Sequence, residues 1–206
     1  MVIPGILEKD WEEIERKINI CREFSNTIHI DFIDGKFFPN ITFFDPEKFK
    51  EVSRDLALEA HLMVEEPIKY LDSLSSSGFR RFLGHIEKMS SQTEFIAMGE
   101  KFGEVGLALD LETQIDAINI PLLDLDAVLL MATPAGQSGL TFQGLVIDKI
   151  KNLRSKFLGT IEVDGGINDQ TILFAKTSGA QRFVCTSYLF ESEDPKKRFQ
   201  TLKGLV

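Results

Sequence analysis

Polar side chains interrupt an otherwise apolar stretch near the start of the chain, which reads TIHIDFIDGKFFPNITFFDP over residues 27–46. The stretch begins with a strand pattern, and side chains two positions apart on a strand share a face. His29 and Asp31 therefore point to one side, and the isoleucines around them point to the other. An imidazole and a carboxylate are costly to bury unless something pairs them. The spacing therefore predicts a partner, such as a metal ion, on that face.

The elements that must position these side chains follow a regular alternation. Strand-like segments, each followed by a helical pattern, occupy residues 2–7, 28–33, 58–64, 80–87, 104–111, 126–132, 159–166 and 182–190. Strict alternation requires parallel strands, and eight such units close into a barrel. The alternative is an open doubly wound sheet, but the first strand–helix turn lacks the G-x-G-x-x-G of a dinucleotide site. We therefore predict an α/β protein with a single (β/α)₈ TIM-barrel domain over residues 1–206.

Further polar residues lie near the predicted carboxyl ends of other strands, where catalytic groups of a barrel are found. A lone histidine there is more often a packed core residue than a ligand. Four converging groups are harder to explain by packing, and they are His29, Asp31, His61 and Asp164. Two imidazoles and two carboxylates suit one divalent ion, and Zn²⁺, Fe²⁺, Mn²⁺ and Co²⁺ all fit. His85, on the fourth strand, either supports these ligands or packs in the core.

Composition excludes several classes of function. The net charge of −9 and the isoelectric point near 4.9 argue against a nucleic-acid partner. No apolar run approaches the roughly 20 residues of a membrane helix, and the acidic N-terminal segment does not resemble a signal peptide. Cys21 and Cys185 lie far apart, which indicates reduced thiols. We therefore expect a cytoplasmic protein.

Several segments together resemble ribulose-phosphate 3-epimerases. They are HIDFIDGKFFPNITF, HLMVEEP, GHIE, GLALDLETQIDAI, LLMATPAGQSGLTF and IEVDGGIN, which occur in the family's order over nearly the whole chain. The resemblance implies a barrel of the ribulose-phosphate-binding type, with one metal ion bound by the four residues above. Related barrels that decarboxylate phosphorylated substrates carry D-x-K-x-x-D on this strand, and the lysine is absent here.

The resemblance also implies that Asp31 and Asp164 form an acid–base pair. Inverting the carbon next to a ketone requires removing a proton from one face and returning one to the other, which two carboxylates can do. The enediolate between these steps needs a nearby positive charge, which a metal ion supplies. Met63 and Met131 match methionines that surround the intermediate in the family. The implied reaction interconverts ribulose 5-phosphate and xylulose 5-phosphate.

The substrate phosphate is expected beyond the sixth, seventh and eighth strands. Backbone N–H groups in glycine-rich turns and at a helix start bind such dianions without a lysine or arginine. The candidate phosphate-binding and substrate-binding positions in these loops are Gly136, Gly139, Gly165, Gly166, Thr186 and Ser187.

Four positions depart from the family pattern, and at one of them Ile33 stands where the family has a methionine. Gly5 stands where the family has a serine that contacts substrate, and Ser138 and Thr186 stand where it has glycines. If Ser138 or Thr186 must adopt a positive φ, a strain of about 1 kcal/mol each follows. The departures leave two alternatives open: an epimerase of another ketose phosphate, such as a ketohexose 6-phosphate, and a non-catalytic barrel that binds a metal or a sugar phosphate. The oligomeric state is open as well, a homo-oligomer included.

Overall fold

The strands close into a complete barrel, as predicted. The computed structural model describes all 206 residues. Eight parallel strands pair in chain order, and β1 pairs with β8 to close the ring. The strands are β1 Val2–Ile6, β2 Thr27–Ile33, β3 Ala57–Met63, β4 Phe79–His85, β5 Glu104–Leu109, β6 Ala127–Met131, β7 Thr160–Asp164 and β8 Arg182–Cys185.

Helices surround the barrel. They are α1 Trp11–Cys21, α2 Leu71–Ser76, α3 Gln92–Gly99, α4 Leu145–Arg154, α5 Thr171–Ser178, α6 Ser187–Phe190 and α7 Pro195–Leu205. Side-chain caps define where α1 and α7 begin: Asp10 accepts a hydrogen bond from the N–H of Glu13, and Asp194 accepts one from the N–H of Lys197. Such caps satisfy backbone donors that have no partner within the helix. No helix of the chain has the length and apolar character needed to cross a lipid bilayer.

Two predicted helices are wrong, because short 3₁₀ turns stand in their places. After β2 the chain forms the turns Pro46–Phe49 and Val52–Arg54, and after β5 it forms Ile115–Ala117 and Leu122–Asp124. In the first segment the second turn ends at Arg54, and β3 begins three residues later at Ala57. In the second segment Pro121 lacks the N–H that a continuing helix would need.

The predicted eighth strand is also too long. It ends at Cys185, and the apolar run that follows forms α6 rather than more strand. Thr186 leaves the extended conformation, with φ −109° and ψ −83°, and its carbonyl accepts hydrogen bonds from the N–H groups of Leu189 and Phe190. The seventh strand likewise ends at Asp164, because Gly165 and Gly166 adopt φ values of +108° and +63°.

Alternation along the strands divides the interior into two apolar regions. Outward-facing strand residues and inward-facing helix residues form the larger one, in which Phe32, Phe49 and Phe79 pack edge to face. Fully burying a phenylalanine contributes about 1.5–3 kcal/mol. A smaller cluster inside the barrel includes Ile33, Met63 and Met131. This second cluster lies beside the polar residues of the candidate site.

Candidate active site and metal centre

Three strands bring the predicted ligands to one place. His29 and Asp31 lie on β2, His61 lies beside Asp31 on β3, and Asp164 is the last residue of β7. Each of these four residues offers one ligand atom, and all four atoms lie within 4.8 Å of one another. Strands β1 and β8 separate β2 from β7 around the barrel, so the two carboxylates reach the centre from different directions.

The distances in this cluster fit a cation. His61 Nδ1 lies 2.8 Å from Asp31 Oδ1 and 3.7 Å from Asp164 Oδ2, and His29 Nε2 lies 3.4 Å from Asp31 Oδ1. The buried Nε2 of His29 has no hydrogen-bond partner in the protein. A buried polar atom without a partner is costly, and a bound metal ion would satisfy it. The donor set therefore fits one divalent ion.

A second group of donors, His29, Glu59 and Glu162, is also close enough together to be considered for a metal. Both glutamates, however, already form ion pairs with Arg81 and Arg182. A cation there would have to compete with two buried guanidinium groups. The cluster that contains both aspartates is the better candidate centre.

The loop after β2 fixes the end of the strand that carries Asp31. The Thr42 hydroxyl donates to the backbone carbonyl of Asp31 and accepts from the N–H of Ile33, both at 2.9 Å. Asn40 Nδ2 donates to the carbonyl of Gly136 at 2.7 Å and so ties this loop to the loop after β6. The N-I-T sequence within the motif thus holds the strand end and two site loops together.

The two aspartates have different proton affinities. Burial alone would raise the pKa of Asp31, but contacts with His29 and His61 outweigh it and lower this pKa to about 2. For Asp164, burial and then the negative charge of Asp31 raise the pKa to about 6. Two carboxyl groups whose environments push their pKa values apart are suited to separate acid and base roles.

The raised pKa of Asp164 predicts a stability penalty in protein freed of metal by a chelator. A folded-state pKa of about 6 against an ordinary 3.8 means that folding favours the protonated form. The penalty is absent below pH 3.8, grows as the pH rises, and is complete above about 6. We therefore expect metal-free Asp164→Asn to be more stable than the parent by about 3 kcal/mol at pH 7, with little difference near pH 4.

Urea unfolding in chelator at both pH values measures this difference. Asp31 does not disturb the comparison, because its lowered pKa acts only between about 2 and 3.8. A metal-free Asp164→Asn protein that is less stable than the parent at pH 7 would contradict the expected burial penalty.

The remaining predicted substrate positions line one cleft above the carboxylates. Met63 and Met131 form part of its floor, and the glycine-rich loops after β6 and β7 form one wall together with the start of α6. The predicted positions in this lining are Met63, Met131, Gly136, Gly139, Gly165, Gly166, Thr186 and Ser187.

The cleft walls require glycine at Gly165 and Gly166. Both have positive φ, and a Cβ there would lie 2.4 Å from Thr133 Oγ1 and 2.4 Å from the backbone nitrogen of Phe142, respectively. Ser138 and Thr186 do not have positive φ, since Glu66 is the only non-glycine residue that does. The strain considered for these two positions from the sequence is therefore absent.

Gly5 and Thr186 share one space between β1 and β8. A Cβ added at Gly5 would lie 2.5 Å from Thr186 Oγ1 and 2.7 Å from Val184 Cγ1. The Thr186 side chain therefore fills the space that a side chain at Gly5 would need. Gly5 and Thr186 differ from the family pattern at positions far apart in the sequence. In the structure the two positions are coupled, because a larger side chain at one requires a smaller one at the other.

His85 lies directly behind one candidate ligand. Its Nε2 is 3.0 Å from His61 Nε2, and its Nδ1 is 2.9 Å from Glu87 Oε2. The backbone N–H of Asp110 donates to the other oxygen of Glu87 at 2.7 Å. Of the two roles considered for His85, this chain of contacts favours support of His61 over simple packing.

Glu59 and Glu162 are not among the site residues predicted from the sequence, although a signal for both is present. Each stands two positions before a candidate ligand, in E-A-H and E-V-D, just as His29 stands two positions before Asp31. The same alternation rule therefore places all of them inside the barrel.

Comparisons with known proteins agree with this geometry. The model of the ribulose-phosphate 3 epimerase family matches residues 1–190. A ribulose-phosphate 3-epimerase of Chlamydia pneumoniae is 36% identical over 179 residues, which cover 82% of this chain and 78% of the relative. Another, from Bacillus subtilis (strain 168), is 32% identical over 213 residues, which cover 98% of each chain.

A solved structure shows the same fold at much lower identity. A mutant tryptophan synthase α-subunit from Pyrococcus furiosus superposes with a TM-score of 0.72 at 12% identity, covering 99% of this chain and 96% of that one. At such identity the likeness concerns the barrel alone, whereas the family match and the two relatives cover most of the sequence. This chain therefore belongs to the ribulose-phosphate 3-epimerase family, a family of isomerases.

Proposed function

We propose that this protein interconverts ribulose 5-phosphate and xylulose 5-phosphate by moving protons at the carbon next to the ketone. The observation that carries the proposal is the pair of buried aspartates, which enter one cleft from β2 and β7 and have pKa values on opposite sides of the ordinary one. The names of the relatives matched above supply the substrate.

Each aspartate handles the proton on one face of the reacting carbon. The Asp31 carboxylate can accept a proton from one face of this carbon, and the Asp164 carboxyl group can return one to the other face. In the reverse direction the two carboxyl groups exchange roles. Placing them at opposite faces of the substrate is what inverts the configuration.

His29, Asp31, His61 and Asp164 would hold a divalent ion, with Zn²⁺, Fe²⁺, Mn²⁺ and Co²⁺ as the candidates. When bound, such an ion supplies positive charge beside the substrate oxygen atoms that become negative as the proton leaves. The two histidines take no proton from the substrate in this scheme. They orient the carboxylates and keep them in place.

The apolar floor of the cleft has a separate role. Met63 and Met131 are almost fully buried and pack with Ile33 inside the barrel. They exclude water from the side of the substrate that faces the barrel core. Exclusion of water strengthens the electrostatic interactions of the charged groups and prevents loss of the proton to solvent.

We place the phosphate against the turns at Gly136, Gly139, Gly165 and Gly166 and the start of α6 at Thr186 and Ser187. These positions lie together along one wall of the cleft. Because the glycines have no side chain, a phosphate dianion can come close to their backbone. The N–H groups of such turns bind phosphate oxygens.

Removing the Thr186 hydroxyl is expected to weaken substrate binding. Since Thr186 has negative φ, Thr186→Gly relieves no strain, and it deletes a hydroxyl group that lines the cleft. A lost hydrogen bond to substrate corresponds to about 0.5–1.5 kcal/mol, so we expect KM for ribulose 5-phosphate to rise by up to about 10-fold, with turnover changing less.

Two controls test the coupling with Gly5. Thr186→Ser keeps the hydroxyl and should keep KM, whereas Gly5→Ser alone should impair binding because its Cβ meets Thr186 Oγ1. Combining Gly5→Ser with Thr186→Gly removes the contact with Oγ1 and supplies a hydroxyl from β1, and Val184 Cγ1 remains the one side chain that must shift. A Thr186→Gly protein with a lower KM than the parent would mean that the threonine hinders substrate instead.

We also propose a cytoplasmic location, which is supported by two buried cysteines that form no disulfide. Of the two, Cys185 faces away from the cleft and contacts the carbonyl of Ile167 at 3.3 Å. It is not among the candidate metal ligands. Chromatography coupled to light scattering would decide whether the protein forms a homo-oligomer.

A direct assay tests the proposed function. Protein loaded separately with each candidate ion is incubated with ribulose 5-phosphate, and formation of xylulose 5-phosphate is followed by NMR. A panel that includes ketohexose 6-phosphates identifies a different preferred substrate. Absence of conversion of every ketose phosphate by metal-loaded protein would favour the non-catalytic barrel instead.

A further inference from the structure

A buried charge cluster lies beneath the candidate metal centre, inside the barrel. It consists of Glu59 on β3, Arg81 on β4, Glu162 on β7 and Arg182 on β8, and both glutamates are almost completely buried. Two positive and two negative side chains balance within it. Buried ion pairs offset much of their desolvation cost only when each charge is well satisfied.

One oxygen of each glutamate is committed to the arginines. Glu59 Oε2 lies 2.6 Å from Arg182 Nη2 and also contacts Arg81. Glu162 Oε2 lies 2.8 Å from Arg182 Nε and 3.2 Å from Arg81 Nη2. In both glutamates this leaves Oε1 as the oxygen that faces away from the arginines and toward His29.

The two remaining oxygens differ in what they contact. Glu59 Oε1 is 2.5 Å from His29 Nδ1, which is a hydrogen bond, whereas Glu162 Oε1 is 3.4 Å from the same nitrogen and has no hydrogen-bond partner. An ionised carboxylate only accepts hydrogen bonds. His29 Nδ1 is therefore the nitrogen that donates to Glu59, which leaves Nε2, on the Asp31 side of the ring, as the nitrogen that can bind a metal ion.

We propose that Glu59 is a positioning residue that sets the tautomer and orientation of His29, so that Nε2 is available to a metal ion. This inference rests on the metal centre of the proposed function. Arg81 and Arg182 complete the arrangement by contacting Oε2 of Glu59 and so fixing the orientation of its carboxyl group. Partners behind metal-binding histidines typically change metal affinity by about 10–100-fold when they are mutated.

Glu59→Gln reverses the hydrogen-bond direction at His29. The two arginines need an acceptor, so they retain the amide oxygen of the new glutamine. Its NH₂ group then faces His29 Nδ1, and it favours the tautomer with the proton on Nε2. That proton occupies the position where the metal ion would bind. We expect affinity for Zn²⁺, measured by competition with a chelator, to fall by about 10–100-fold.

Glu162→Gln is the matched control. Glu162 has the same burial and the same arginine partners as Glu59, and the substitution removes the same charge. It lacks the hydrogen bond to His29, so we expect its effect on Zn²⁺ affinity to be less than about 3-fold. Long-range ¹H–¹⁵N NMR of the Zn²⁺-loaded parent should show His29 protonated on Nδ1.

Glu59→Asp provides a second variant if Glu59→Gln does not fold. It keeps the negative charge for the arginines but withdraws the carboxylate from His29 by one methylene, and it should also weaken Zn²⁺ binding more than Glu162→Gln does. Equal losses in Glu59→Gln and Glu162→Gln, or unchanged affinity in the Glu59 variants, would overturn the positioning role. Absence of Zn²⁺ binding by the parent protein itself would instead contradict the proposed metal centre.

Discussion

Asp31→Asn and Asp164→Asn are each expected to lower the turnover of ribulose 5-phosphate by at least about 10²-fold, the usual scale for a general acid or base. An asparagine at either position has nearly the same size as the aspartate but cannot exchange a proton with the substrate. Because each aspartate is also a candidate ligand, the loss is larger if metal binding weakens as well. Steady-state kinetics and metal content must therefore be measured on the same samples.

A half-buried aspartate outside the site serves as the control for these two variants. Asp45 precedes a 3₁₀ turn and makes no capping hydrogen bond through its side chain, so Asp45→Asn should leave turnover unchanged. Near-normal turnover in Asp164→Asn with full metal occupancy would remove Asp164 from the mechanism. Reduced turnover in Asp45→Asn would show that the losses are not specific to the site.

Asp164→Asn is expected to have opposite effects on turnover and on stability, which distinguishes a role of Asp164 in catalysis from a role in folding. The substitution should abolish most turnover and yet stabilise the metal-free protein at pH 7, because it removes a buried carboxylate that is repelled by Asp31. A residue kept only for packing would lose stability when replaced. A favourable change in unfolding free energy together with lost turnover is the behaviour of a site residue.

Metal content should fall sharply in His29→Ala and in His61→Ala. The parent is expected to hold about one divalent ion per chain, and each substitution deletes one of four candidate ligand atoms. Losing a direct ligand should lower metal affinity by more than the loss of a supporting residue does, which is typically about 10–100-fold. Elemental analysis after dialysis against a weak chelator measures the remaining ion.

His85→Ala is the matched control for the histidine substitutions. His85 has the same burial as His61 and contacts it, but it is not one of the four candidate ligands. Its loss should therefore lower metal content less than the loss of His61 does. Full metal retention in the protein that carries both His29→Ala and His61→Ala would contradict the metal centre.

Much of the fold could be predicted because hydrophobic alternation is a local signal. The strand positions of His29 and Asp31 followed from a period of two, and the closed barrel followed from eight strand–helix units. Strand ends were less predictable. The run after Thr186 is apolar enough for a strand, but it begins a helix because the backbone turns at Thr186.

The charged residues of the site could be predicted from the sequence. The contacts between segments that are distant in the sequence could not. Nothing in the sequence indicates that a side chain at Gly5 would meet Thr186, because β1 and β8 lie at opposite ends of the chain and become neighbours only on closure. The bond between Glu59 and His29 likewise joins two strands. Pairing of this kind depends on register and rotamers, which sequence periodicity does not specify.

Incorporation of solvent deuterium into ribulose 5-phosphate tests the central claim most directly, because it reports proton transfer whichever epimer accumulates. Metal-loaded protein is incubated with the substrate in D₂O, and NMR follows the hydrogen on the stereogenic carbon next to the ketone, which is the carbon that the reaction inverts. The proposed function predicts deuterium at that carbon together with xylulose 5-phosphate, and formation of xylulose 5-phosphate at least about 10²-fold slower with Asp31→Asn or Asp164→Asn. A parent protein that retains its metal ion but leaves that proton in place would contradict an epimerase of this substrate.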